Sequence, residues 1–142
     1  MNITIPPPDI QVVKKGADET ISNSSVLQND DALYFAIGAN QSVSFSLQLY
    51  YISSAVADLK IKFTAPAGAA GLATFVTAGG YAAFDPLAQY DYGASGVEEI
   101  ISIAGFILNG ATAGEVRLQW AQLSAEVSNT KVKAGSVLVV FK

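Results

Sequence analysis

The chain has 142 residues, enough for one domain with a core of its own. It contains no cysteine and no histidine, which excludes disulfide bonds, thiolate or imidazole catalysis, and zinc sites of the Cys/His type. Charged residues make up only 14% of the chain, the net charge is −4, and the 8 basic residues are scattered, so no basic face for nucleic-acid binding is predicted.

Residues 1–9 are predicted to form an extended arm. Three consecutive prolines at positions 6–8 fix φ and remove three backbone donors, which favours a conformation near polyproline II. Ile3 and Ile5 make the tip of the arm apolar. Two interpretations stay open, a frayed terminus and an arm that docks on a neighbouring subunit. The segment lacks the basic and apolar regions of a secretory signal, and no run of about 18 apolar residues predicts a membrane span.

Residues 10–142 are predicted to form one antiparallel β-sandwich with the character of a jelly roll. The clearest signal is the segment 42–51, in which Val43, Phe45 and Leu47 alternate with serines. Successive side chains of a strand point to opposite faces, so this segment is predicted to have one buried and one wet face. Strands are predicted, in chain order, at residues 10–15, 20–22, 33–37, 42–51, 59–63, 99–108, 116–120 and 137–141. Helical periodicity is almost absent, which indicates an all-β domain.

Two of these strands carry a further signal. Gly105, inside the strand 99–108, predicts a bulge or a bend. The strand 137–141 is apolar on both parities, because Leu138 and Val140 alternate with other apolar residues. Apolar side chains on both faces predict a central place in a sheet or a contact with another subunit.

The adjacent acidic residues are candidate sites of catalysis or metal binding. Asn29, Asp30 and Asp31 are predicted to form a turn in which an aspartate caps its own backbone. A calcium site built from Asp30, Asp31 and loop carbonyls is a second hypothesis, although the alternating ligands of known calcium loops are missing. Glu98 and Glu99 are also adjacent. Neighbours on a strand point to opposite faces, so neither pair predicts a catalytic dyad, and no enzymatic activity and no cofactor are predicted.

The segment 66–96 is predicted to be a long ordered loop. It is rich in glycine and alanine and has little charge, and long loops in compact domains are usually functional. Its aromatic residues are expected either to plug one end of the sandwich or to contact a partner. Trp120, in contrast, alternates in phase with Val116 and Leu118, so it is predicted to be a core residue and not a carbohydrate-binding one.

Six segments are informative as a set, namely Lys14-Lys15-x-x-Asp18-Glu19-Thr20, Ser25-x-Leu27-Gln28-Asn29-Asp30-Asp31-x-Leu33-x-Phe35, Ala39-Asn40, Phe63-Thr64-x-Pro66-Ala67-Gly68-Ala69, Leu118-Gln119-Trp120-Ala121-Gln122 and Ala134-Gly135-Ser136-x-Leu138. Together they resemble the turns and strands of small β-sandwich structural proteins of tailed bacteriophages. The resemblance covers roughly two thirds of the chain and omits residues 72–95. It contains no catalytic motif, so no site residue is carried over from it.

The resemblance implies a virion component. It favours a capsid decoration (cement) protein, a homotrimer that clamps the major capsid protein at the capsid surface after assembly in the host cytoplasm. The alternative is a recognition module of a tail fibre or baseplate that binds a host glycan or receptor. The residues predicted to form protein contacts, in the arm and in the segment 66–96, are Ile3, Ile5, Pro6, Pro7, Pro8, Tyr81, Phe84, Tyr90 and Tyr92.

Overall fold

The computed structural model describes residues 9–77 and 80–142, and it describes residues 76, 77, 80 and 81 through their backbone only. Within those ranges the chain forms strands, turns and irregular segments, with no helix. Each predicted strand is present, so the all-β prediction is confirmed. The strands are β1 (Ile10–Lys14), β2 (Glu19–Ile21), β3 (Gln28–Ile37), β4 (Ser42–Ile52), β5 (Leu59–Thr64), β6 (Ala70–Thr77), β7 (Gly80–Phe84), β8 (Tyr90–Tyr92), β9 (Glu98–Leu108), β10 (Gly114–Gln122), β11 (Thr130–Val132) and β12 (Val137–Phe141).

The strands form two antiparallel sheets that enclose a common core. The larger sheet has the order β1-β12-β4-β9-β6-β7, and β11 pairs with the end of β4 and with β2. The smaller sheet has the order β3-β10-β5-β8. The last strand, β12, is paired on both sides, with β1 and with β4. The central position predicted for the segment 137–141 from its two apolar parities is therefore confirmed.

The core lies between the inward rows of the two sheets. On β4 the inward row is buried and the serine row faces away from the core, as the alternation predicted. Phe45 of this row packs on Phe63 of the smaller sheet, with ring centroids 5.2 Å apart. Trp120 is fully buried, which confirms its core assignment. Burying one such large side chain stabilises the fold by about 1.5–3 kcal/mol, so these rows fix the sandwich.

Asp30 lies in a bulge of β3 and not in a turn. The pairing of β10 with β3 shifts register between Arg117 and Gln119, and the surplus residues of β3 form the bulge. Oδ1 of Asp30 accepts hydrogen bonds from the backbone N–H groups two and three residues further on, at 2.9 and 2.8 Å. The turn predicted at 29–31 is therefore wrong, while the predicted capping of the backbone by Asp30 is confirmed. The Asp30 carboxylate stabilises the bulge because it accepts hydrogen bonds from two N–H groups that have no partner on the neighbouring strand.

The other oxygen of Asp30 belongs to a buried polar cluster. Oδ2 accepts hydrogen bonds from Nζ of Lys15 at 2.9 Å and from Nε1 of Trp120 at 3.1 Å. Lys15 also donates to Glu19 at 2.8 Å. Asp30 is completely buried and Lys15 is 4% exposed, whereas Asp31 is exposed. The ammonium group of Lys15 holds the place next to Asp30 that a calcium ion would need, so the calcium hypothesis finds no support.

The charge state of Lys15 contributes to stability. Burial lowers the pKa of Lys15, but hydrogen bonds and charges from Glu19 and Asp30 outweigh burial and raise this pKa above its ordinary value of 10.5. A raised pKa in the folded state means that folding favours the ammonium form. This contribution is complete below pH 10.5 and disappears as the pH rises through the higher pKa of the folded state.

Replacing Asp30 measures how much this buried cluster contributes to the stability of the fold. We expect Asp30→Asn to lower the free energy of unfolding by about 3 kcal/mol, because it leaves a buried ammonium group with one carboxylate partner fewer. Denaturant titration followed by tryptophan fluorescence measures the change. The matched control is Asp31→Asn, which changes the exposed neighbour and should stay within about 0.5 kcal/mol of the wild type. Equal effects of the two substitutions would contradict the assignment.

The segment 66–96 is not one long loop. It contains β6, β7 and β8, and β6 with β7 extends the larger sheet beyond β9. The loop prediction is wrong because glycine and alanine here serve a close approach of strands. A Cβ on Gly105 would lie 2.6 Å from the carbonyl oxygen of Leu72 and 2.7 Å from Cβ of Ala73. Gly105 pairs in unbroken register on both sides, so the predicted bulge or bend is absent from this position.

Gly105 is expected to tolerate no side chain. We expect Gly105→Ala to lower the free energy of unfolding by about 2 kcal/mol or more, because β6 must move away from β9. Gly93→Ala is the matched control, since a Cβ at Gly93 meets nothing within 4 Å. Thermal unfolding of both variants checks the prediction, and a neutral Gly105→Ala would show that the two strands are not in close contact.

Candidate interaction surface

The outer face of the smaller sheet, which we name the polar face, is well suited to water. Arg117 lies over the ring of Tyr34, 3.9 Å from its centroid, and donates to Glu115 at 2.6 Å. Such exposed pairs contribute little to stability but keep a surface solvated. The polar face comprises Asn29, Tyr34, Lys60, Lys62, Asp91, Glu115, Arg117 and Gln119.

The outer face of the larger sheet has the opposite character, and we name it the apolar face. Seven large apolar side chains point away from the core here, each between 40% and 65% exposed. Scattered apolar residues on a surface are ordinary, but a contiguous group marks an interaction site in most soluble proteins. The seven are Ile10, Val12, Leu72, Ile100, Phe106, Leu108 and Phe141.

The pairing register arranges the apolar face in rows across the sheet. In these rows β4 contributes small polar residues, Ser42, Ser44 and Ser46, followed by Gln48. They form a groove along β4, the serine channel, with β12 and β9 on its two sides. One row runs Ile10, Phe141, Ser44, Phe106, Leu72, and the next runs Val12, Val139, Ser46, Ala104, Thr74.

The serine channel deepens on the β9 side. Ala104 and Ser102 are smaller than the neighbouring Phe106 and Ile100, so the surface is lower at these positions. The resulting concavity has a volume of about 210 Å³ and is lined by Ser46, Gln48, Thr74, Phe75, Ser102, Ile103 and Ala104. A cavity of roughly 150 Å³ accepts a benzene ring, so this one has room for a branched or aromatic side chain.

Charge enters the apolar face only in one half. Among the described strand residues on this face, the charged ones are Lys14, beside Val137 in the row of Gln48, and Lys131 and Glu98 at the end of β4. Glu98 accepts hydrogen bonds from Tyr50 and from Lys133, and these partners lower the pKa of Glu98. The half that contains Phe106 and Phe141 carries no charged strand residue in the described part of the sheet.

The predicted contact residues fall into three groups. Ile3, Ile5, Pro6, Pro7 and Pro8 lie outside the described residues. Tyr81 belongs to β7 by its backbone, and its side chain is outside the description. The remaining three, Phe84, Tyr90 and Tyr92, are half-buried around Phe75. Their contact with a partner stays a prediction.

The three half-buried aromatic rings form a cluster with Phe75. Tyr90 and Tyr92 lie 4.7 and 5.3 Å from Phe75, centroid to centroid, and Phe84 lies 5.5 Å from it. Tilted and edge-to-face arrangements at these distances stabilise a packed cluster. The rings thus fill the space between β6, β7 and β8, as the expected plug of one end of the sandwich requires.

The acidic pairs do not converge on a reaction centre. Glu98 lies on the outer face with Lys133, whereas Glu99 accepts a hydrogen bond from Tyr51 at 2.8 Å. Adjacent carboxylates therefore use opposite faces, as predicted. In the described ranges no three acidic side chains come together as a metal site would require. No helix in the described part of the chain has the length and apolar character needed to cross a membrane.

Of the seven residues of the apolar face, only Phe141 lies in a segment for which the sequence predicts a contact with another subunit. A usable signal existed for β9, where Ile100, Phe106 and Leu108 share one parity and buried isoleucines occupy the other. When a strand is apolar on both parities, its sequence pattern does not show which row of side chains faces the core. The outward row is assigned only by the pairing with β4.

No family model matches the chain, and no curated protein matches it. Among solved structures, the chain is 12% identical to a protein in the structure of infectious bursal disease virus, Gx strain, with a TM-score of 0.33, and it covers 40% of that chain. It is 13% identical to the infectious bursal disease virus VP2 subviral particle protein, with a TM-score of 0.26 over 39% of that chain. The alignments span 96% and 94% of the present chain. Likenesses of this size establish no family, so function has to be argued from the surface itself.

Removing the hydroxyl groups of Tyr92 and Tyr51 should change the free energy of unfolding in opposite directions. The buried hydroxyl of Tyr92 has no hydrogen-bond partner among the described residues, and burial raises the pKa of Tyr92. We expect Tyr92→Phe to raise the free energy of unfolding by about 1 kcal/mol, because an unpaired polar group leaves the interior. Tyr51→Phe should lower it by about 1.5 kcal/mol, because a hydrogen bond to the Glu99 carboxylate is lost. Chemical denaturation measures the free energy of unfolding of both variants. Changes of the same sign in the two variants would contradict this prediction.

Proposed function

We propose that the protein is a non-enzymatic structural component of a virion, a capsid decoration protein that stabilises the shell through protein contacts. The observation that carries the proposal is the difference between the two outer faces. The polar face carries charged and amide side chains, with Arg117 paired to Glu115, whereas the apolar face presents seven large apolar side chains that are 40–65% exposed. A domain with this asymmetry gains free energy when one face is covered.

The size of that gain is comparable with the cost of association, which is about 4–15 kcal/mol. Burying a large apolar side chain completely stabilises by about 1.5–3 kcal/mol, so completing the burial of seven half-exposed ones contributes roughly 7 kcal/mol before the cost of association. No polar pair on the other face offers a comparable term, since exposed ion pairs contribute about 0–1 kcal/mol. Assembly through the apolar face is therefore favoured over ligand binding on the polar face.

The proposed partners are the major capsid protein and two further copies of this chain. The low content of charged residues is typical of a protein whose surface is covered by neighbouring subunits. A trimer also presents three capsid contacts at once. Three linked contacts retain a protein on a lattice far longer than one contact does. The proposed location is the capsid surface, with assembly in the host cytoplasm.

A tail fibre or baseplate module that recognises a host glycan is the second candidate. The observation that favours it is Tyr34, which is 39% exposed on the polar face beside Arg117 and near Gln119. An aromatic ring next to polar side chains is a common carbohydrate platform. The polar face is a sheet surface with paired charges, however, and glycan sites are usually concave.

Cosedimentation distinguishes the two candidates. The purified protein is incubated with expanded capsids of the encoding phage that lack it, with intact host cells, and with cell-wall glycan. We expect saturable binding to capsids and none to cells or glycan. Binding to glycan that is lost in Tyr34→Ala, together with no binding to capsids, would overturn the decoration proposal.

A further inference from the structure

We propose that the apolar face is covered by residues 1–8 of a second copy of this chain, with an isoleucine of that arm seated in the 210 Å³ concavity. The inference rests on the proposed function in one respect, namely that the protein assembles through this face. It goes further in naming the occupant and the kind of symmetry that results.

The serine channel has the dimensions of one extended chain. Neighbouring strands lie about 4.8 Å apart, so the side chains of β12 and β9 that flank β4 are separated by about 10 Å. Phe141 and Phe106 stand on either side of Ser44 at one end. Further along, Ala104 and Ser102 open the concavity, where one large side chain can enter. An extended segment with an apolar residue fits this shape better than a flat surface does.

The chemistry of the arm matches that of the channel. The three prolines at positions 6–8 have no backbone N–H, so this segment carries more carbonyl acceptors than donors. The serine hydroxyls and the Gln48 amide of the channel are donors that can meet those carbonyls. Ile3 and Ile5 supply the apolar side chains. No side chain in residues 1–8 is charged, which suits the uncharged half of the face.

The place where the arm leaves the domain favours a second copy over its own face. Asp9 accepts a hydrogen bond from the backbone N–H of Lys142 at 2.9 Å, so the arm begins at the end of the larger sheet, beyond Ile10 and Phe141. Returning to its own channel requires a reversal next to three prolines, which resist bending. Eight extended residues span about 27 Å, enough to reach across a neighbouring domain.

The area of the apolar face and the symmetry of the contact also favour the arm of a second copy as the occupant. The apolar part of the face measures about five strands by three rows, or roughly 500 Å² from strand spacing and rise. A stable interface takes about 800 Å² from each partner, so two such faces pressed together fall short. An arm adds its own surface to the contact. Because arm and face are different patches, the contact is heterologous, and it forms the proposed trimer when the rotation between neighbouring copies closes a ring of three.

The test compares four proteins by sedimentation velocity without capsids present. They are the wild type, a variant lacking residues 1–8, Phe106→Glu on the apolar face, and Val127→Glu as the matched control, since Val127 is 75% exposed away from both sheet faces. We expect oligomers for the wild type and Val127→Glu, and monomers with the circular dichroism spectrum of the wild type for the other two. A monomeric wild type, or an arm deletion that stays oligomeric, would overturn the inference.

A peptide of residues 1–8 provides a second measurement. We expect it to bind the arm-deleted protein in a fluorescence anisotropy assay, and to bind at least tenfold more weakly when Phe106→Glu or Leu72→Glu is added. Equal binding to all three proteins would overturn the inference. Oligomers that form by arm exchange but ignore capsids would overturn the decoration proposal alone, so the two failures are distinguishable.

Discussion

The alternation of side chains along β4 is the constraint on which the rest of the structure depends. Its inward row, from Val43 to Tyr51, closes the core, and its outward row from Ser42 to Ser46 stays small. A slip of one residue would bring serines into the core and five large apolar side chains into water, so the register is strongly fixed. Because β12 and β9 both pair with β4, this register also aligns Phe141, Ser44 and Phe106 in one row.

The proposed function rests on the difference between the two outer faces. Each is built by residues that the core does not use, yet one carries charged and amide side chains and the other carries exposed phenylalanine, leucine and isoleucine side chains. Burying the second face is favourable, and no comparable force acts on the first. The buried cluster of Asp30, Lys15 and Trp120 has a different role, since it holds the bulged strand β3 against β10.

The sequence alone predicts most of the fold where polarity alternates cleanly. β4, β5 and β10 each have one apolar parity, and their positions were predicted closely. β6, β7 and β8 were missed because their segment is rich in small residues such as Gly71 and Ala73, which allow close strand packing but resemble a loop in composition. The apolar face was missed for another reason: β9 is apolar on both parities, and only tertiary pairing decides which row is covered.

Hydroxyl-radical footprinting of the wild-type protein, assembled at high concentration and dissociated by dilution, tests the central claim most directly. Phe106 and Phe141, 40% and 44% exposed in the single chain, report on the apolar face, and Tyr34, 39% exposed, reports on the polar face. The account predicts that assembly protects both phenylalanines and leaves Tyr34 equally labelled. Protection of Tyr34 with unchanged labelling of Phe106 and Phe141 would contradict it.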